Sequence, residues 1–287
     1  MSALQEHLES LVASVDGVAR RQGDPVAFAH RYARPEDQEI AALFAAVMAF
    51  GRVSLFWPVL ERIFAVADAA GGPAAWLRAV DAREVEASFA GVSYRWTRAE
   101  DLAVFALGVA LATRTSGGLE PLLGDGPVRD ALGGLVDALR EGAVRAAADL
   151  GRPVASFEEL PLGVRHLLPH PRQGSACKRL NLFMRWMVRD RGDGVDLGLW
   201  TRLSSRDLVI PVDTHVLRIA RLVGLTARKD GSWRTAEDIT AALRKFDADD
   251  PVRFDFALAH LGISGGCQGR RLPDVCGACA LTTLCRA

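Results

Sequence analysis

No apolar run in this chain approaches the roughly 20 residues that span a bilayer; the longest, residues 40–50, falls far short. A basic, then apolar, leader is also missing, because Glu6 and Glu9 interrupt the start. Sustained period-two alternation is absent, and Leu208-Val209-Ile210 is the one strand-like fragment. Internal repeats and low-complexity tracts are lacking. Net charge is lacking too: 35 basic residues balance 35 acidic ones, so the chain as a whole does not advertise a polyanionic partner. Cysteine is scarce outside one place, since only Cys177 of the five precedes residue 267. These absences argue against a membrane span, a secreted disulfide scaffold and an all-β fold. They point to a cytosolic protein, where thiols stay reduced and available for metal. A length of 287 residues, 49% of them hydrophobic, provides for one large or two modest domains with real cores.

What is present reads as helix after helix. Arg34-Pro35-Glu36-Asp37 opens one with proline and acids in its first turn, and Gly51 closes it. Thr97-Arg98-Ala99-Glu100 has the form of a capping box, and Ser156-Phe157-Glu158-Glu159 repeats it. Thr235 and the pair Asp250-Pro251 mark two further helix starts, while the breaks at 71–73 and 124–127 read as interhelical turns. The fold class expected is all-α.

Chemistry concentrates in three stretches. The last four cysteines, Cys267, Cys276, Cys279 and Cys285, are spaced C-x8-C-x2-C-x5-C. Four thiolates in one uneven loop suit a [4Fe–4S] cluster. A zinc site is the alternative, although zinc usually takes two short knuckles and only Cys276 and Cys279 form one. Residues 165–191 hold Arg165, Arg172, Lys178, Arg179, Arg185, Arg189 and Arg191 against the single acid Asp190, a concentration expected of a phosphate-binding surface or of a solvated helix face. A helix over 177–188 would present the backbone N–H groups of Gly174 and Ser175 to an anion at its start. Third, Asp213 stands as an ideal N-cap ahead of a helix whose Val216, Ile219, Ala220 and Val223 share one face and which Gly224 ends.

The wording of these stretches resembles the helix–hairpin–helix DNA glycosylases of the endonuclease III and MutY type. Cys276-Gly277-Ala278-Cys279 and Leu284-Cys285 resemble their cluster loop, with a first gap two residues longer. Val212-Asp213-Thr214-His215 is similar to the segment that carries their catalytic aspartate, and 255–267 to the helix that feeds their cluster. Leu168-Pro169 and Lys178 lie where their hairpin and its lysine would be, but the Gly-x-Gly of the hairpin is missing. The chain as a whole also looks like a bacterial family of uncharacterised function.

The resemblance implies two helical lobes of that type, one made of residues 36–204 and the other of 1–35 with 205–287 and the cluster loop. It implies a monomeric base-excision glycosylase at the nucleoid, acting on double-stranded DNA with a flipped damaged or mismatched base. Asp213 would stabilise the oxocarbenium-like sugar. Lys178 would be a Schiff-base nucleophile for lyase activity, or else a phosphate contact. DNA contacts are expected from Arg179, His215, Arg270 and Arg271, with Arg52 on a phosphate. Phe50 would be an apolar wedge between bases or a buried aromatic ending a helix. Two further readings stand beside this one: a non-catalytic DNA- or RNA-binding protein on the same scaffold, and action on RNA or another N-glycoside.

Overall fold

In a computed structural model, which describes residues 2–190, 192–263 and 267–286, the chain is helical as expected; Arg191 lies outside the described residues. It divides into two compact units, residues 23–173 and residues 1–22 with 174–287. Those breaks differ from the expected 36–204 division, and they put the Lys178–Val188 helix in the same unit as Asp213. No helix among the described residues is long and apolar enough to cross a membrane.

The 23–173 unit is built around two helices buried on every side. Proline at the first position starts the helix Pro35–Met48, and residues 40–48 are all buried. In the helix Ala99–Ser116, residues 101–110 are all buried as well. Such all-round apolar helices can only sit inside. Phe44 and Phe105 meet edge to face, with ring centroids 5.0 Å apart. Buried Asp37 accepts a 2.8 Å hydrogen bond from the N–H of Ala74 at the start of the helix Pro73–Ala79. Ala99–Ser116 and Val128–Asp149 approach backbone to backbone. A Cβ on Gly108 would lie 2.7 Å from the amide nitrogen of Ala143, and one on Gly142 would strike the carbonyl oxygen of Gly108.

Several local expectations shift. The helix expected after Thr97 caps one residue later: Asp101 accepts the N–H of Arg98 at 2.8 Å, while Thr97 pairs with Tyr94 in a hairpin, Ser93–Tyr94 with Thr97–Arg98. Its two-residue strands are too short to show alternation in sequence. Ser156 heads only the 3-10 turn Phe157–Glu159. Leu208-Val209-Ile210 forms no strand; it is a buried extended segment anchored by the Ile210 N–H on the Thr240 hydroxyl at 3.0 Å.

The central helix of the other unit is Lys178–Val188, buried from Arg179 onward. Thr214–Leu222, Trp233–Arg244 and Asp255–Ile263 belong to the same unit. Thr214–Leu222 packs on Asp255–Ile263, with His215 seated where a side chain on Gly262 would be.

Candidate functional site

Asp213 is held from both sides. Behind it, residues 208–212 are buried. Ahead, its Oδ1 accepts the N–H groups of His215 and Val216, both at 2.8 Å, so it caps Thr214–Leu222. Both bonds fall on one oxygen, and Oδ2 has no hydrogen-bond partner among the described residues. The half-buried carboxylate is therefore fixed in direction and half uncommitted.

Lys178 is equally fixed at its backbone. It opens its helix directly after Cys177, a buried residue in the left-handed region at φ 45°. The turn before it is tied to residues 231–233: the N–H of Ala176 donates to Gly231 O at 3.1 Å, and that of Trp233 to Gly174 O at 3.0 Å. The N–H of Cys177 goes to Ser175 Oγ at 3.1 Å. The open anion cradle expected at this helix start is thus partly spent, because folding pairs buried donors internally. Gly174 and Ser175 themselves are exposed. The Lys178 side chain is half-buried and has no ion pair among the described residues.

Asp255 joins the two. It begins the Asp255–Ile263 helix, is 2% exposed, and accepts from Arg185 Nη1. Burial pushes its carboxyl up to about 6; Arg185 pulls the other way, the charge of Asp213 pushes it further up, and that of Lys178 draws it down. Lys178 and Asp213 therefore act on one buried carboxyl, and all three stand at helix starts in one unit. Sequence reasoning did not single out Asp255. Its only local signal, an acid in the first turn of a helix, is shared with many solvated caps.

The expected basic surface is corrected here. Arg185 Nε reaches Asp196 at 3.1 Å, and Arg189 reaches Asp196 and Asp193 at 2.7 Å and Asp250 at 2.8 Å. Arg179 is 8% exposed, and burial lowers its pKa to about 10. Three of the seven cations therefore face the interior. Four carboxylates meet two guanidiniums in the Arg185–Arg189 network.

His215 is engaged as well, with Nδ1 3.2 Å from Arg218 Nη2, which in turn donates to Cys267 O at 2.6 Å. That chain runs from the helix capped by Asp213 into the cysteine loop. There Cys267, Cys276, Cys279 and Cys285 all line one small pocket of about 30 Å³, walled by Ile219, Leu222 and Leu281 among others. No disulfide joins them. The Leu272 N–H donates to Cys276 Sγ at 3.3 Å, a bond that stabilises a ligating thiolate. Among the described residues no three potential ligands gather around a single-ion site. Arg270 and Arg271 are exposed on the pocket rim.

Phe50 and Arg52 belong to the other unit. Phe50 is half-buried in a turn among aromatic rings, and Arg52 is exposed.

No curated protein and no solved structure matches the chain. The expected membership of the helix–hairpin–helix glycosylase superfamily is overturned by the match that is found, which is to a different description and leaves the cysteine loop outside its span. With residues 24–264 matched, the chain belongs to the family described as Protein of unknown function (DUF2400).

Proposed function

We propose that this protein is a DNA N-glycosylase of base-excision repair, with lyase activity through Lys178. The observation that carries the reading is the placement of Lys178 and Asp213 at helix starts of one unit: an amine without an ion pair among the described residues, and a carboxylate fixed by its cap with one uncommitted oxygen. Asp213 stabilises the positive charge that develops at the sugar C1′ as the glycosidic bond breaks. Once the Lys178 ammonium has given a proton to solvent, its Nζ lone pair forms a bond to C1′; the base leaves with the glycosidic electron pair and takes up the proton that Nζ sheds on bonding. The sugar then opens to an imine. In this reading Asp255 positions Asp213 and Lys178 and does not touch substrate.

The four cysteines suit a [4Fe–4S] cluster, with zinc the alternative. Their common pocket and the hydrogen bond to Cys276 support the cluster. When bound, the cluster would tie the loop down and hold Arg270 and Arg271 toward a phosphate backbone. Protein purified without oxygen is expected to be brown and to contain iron and sulfide. Colourless protein with stoichiometric zinc would replace the cluster.

Borohydride trapping on duplexes that carry an abasic site or a panel of damaged bases tests the chemistry. A covalent adduct is expected with the wild type and none with Lys178→Ala. Asp213→Asn keeps an N-cap, since asparagine caps as well as aspartate, yet base release should fall by about 10²-fold or more. Unchanged release would remove Asp213 from the mechanism. Neither adduct nor free base on any substrate would leave the non-catalytic binding reading, which the burial of Arg179, Arg185 and Arg189 leaves with less surface charge than the sequence suggests.

A further inference from the structure

The 23–173 unit carries an aromatic and cationic surface to which the chemistry above assigns no role. Its centre is the hairpin tip Arg95-Trp96. Arg95 has φ 54°, one of two non-glycine residues in the left-handed region among those described. A two-residue hairpin normally puts glycine or asparagine there, because a side chain with a Cβ is strained. Here the tip instead holds the two residues best able to grip a flat anionic ligand.

Trp96 is 39% exposed. Its ring stacks on Phe50 at 5.7 Å with 17° between planes, and His166 meets both rings edge-on, at 4.8 Å from Trp96 and 4.7 Å from Phe50. The arrangement is rigid. Tyr94 donates its hydroxyl to Phe50 O, and the helix Leu162–Leu167 closes on the tip at Gly163, where a Cβ would lie 2.9 Å from Trp96 O. Gly51 leaves room for the Arg95 guanidinium, whose Nη2 would be 2.6 Å from any Cβ there. Arg95 lies over the rings of both Tyr94 and Trp96, at 5.9 Å from each.

The exposed charge of the three segments is positive, while the Asp101 carboxylate that packs at Gly163 and accepts the Arg98 N–H is buried. Residues 50–55, 93–98 and 162–168 contain Arg52, Arg95, Arg98 and Arg165 and no aspartate or glutamate. All four arginines are exposed, and Arg52, Arg95 and Arg165 have no carboxylate partner among the described residues. A protein-binding apolar patch has no need of this uniform sign. A nucleic-acid strand, with a π-face on every base and a charge on every phosphate, matches both features.

We infer that Trp96, backed by Phe50 and His166 and flanked by Arg95, is a stacking site for an unpaired nucleobase of a nucleic-acid strand. The inference rests only on the nucleic-acid part of the proposed function, not on glycosidic cleavage.

Fluorescence anisotropy of a labelled single-stranded oligothymidine and of a duplex of equal length, at two salt concentrations, tests it. The wild type is expected to prefer the single strand. Trp96→Ala should bind it about tenfold or more weakly, and Trp96→Phe should keep affinity within about threefold. Arg95→Gly separates binding from folding. Glycine relieves the left-handed strain, so its melting temperature should hold or rise while affinity falls and the salt slope flattens by about one phosphate. Wild-type affinity in Trp96→Ala, no binding of any strand, or Arg95→Gly melting lower with affinity unchanged would each overturn the stacking site. Base release and trapping are scored on the same variants. A tenfold binding loss in Trp96→Ala, with no glycosylase activity in any variant, would sink the catalytic reading and leave the stacking site standing.

Discussion

Arginine plays opposite parts in the two units. In the 174–287 unit, Arg185 and Arg189 lie inside, each shared among carboxylates drawn from distant parts of the chain. In the 23–173 unit, Arg52, Arg95 and Arg165 are exposed, Arg95 over the rings of Tyr94 and Trp96, and have no acid to neutralise them among the described residues. Counting charges along the sequence picks the wrong one as the electropositive surface. Three of the seven cations in the densest run are interior, and Arg165 at its start is grouped by segment with Arg52 and Arg95 from far earlier in the chain. Local density thus reports how much charge must be placed, and three-dimensional pairing decides where its field goes.

Breaking an interior arginine should cost most. Arg185→Ala strands Asp196 and Asp255 without their shared cation, and urea denaturation is expected to show a loss of about 3–5 kcal/mol. A loss under about 1 kcal/mol would mean that the network is not a structural unit.

Next in size is the proton on Asp255. Its carboxyl titrates near 6 in the fold, above the ordinary aspartate value of about 3.9. The native state therefore binds this proton more tightly than the unfolded chain. Its contribution is fully present below about pH 4 and is lost as pH rises through about 6. Asp255→Asn never titrates, so the stability of wild type minus that of Asp255→Asn should fall between pH 4 and pH 7, by on the order of 2 kcal/mol. A difference that is flat with pH would place the carboxyl back in the ordinary range.

The exposed side of the comparison should barely register in stability. Arg52→Ala is expected to change unfolding free energy by no more than about 0.5 kcal/mol. A larger loss would show that Arg52 supports the turn at Phe50 and is not a free surface cation.

Much of the architecture was legible in the sequence, and the reasons are local. Pro35 at a helix start and Asp213 as an N-cap act within one turn, so their chemistry is visible in four consecutive letters. The four cysteines could be grouped by spacing, and one pocket receives them all. What escaped depends on partners far away. Asp255 is raised by burial and held by Arg185, 70 residues earlier, and the Ala176 N–H is consumed by Gly231. The hairpin at 93–98 escaped because each of its strands is two residues long. The likeness to glycosylases rested on short strings around Asp213 and the cysteines, and such strings specify a cap and a set of thiols before they specify an ancestry.

The crossing of Ala99–Ser116 with Val128–Asp149 has a consequence for how this sequence can vary. Alanine is the commonest occupant of these helices and the substitution that helices elsewhere accept most readily. At Gly108 and Gly142 the single added methyl has only the facing main chain to meet. A saturation library should therefore return these two positions as glycine alone, while the exposed positions of the same helices accept alanine. They form a fixed pin where the two helices cross.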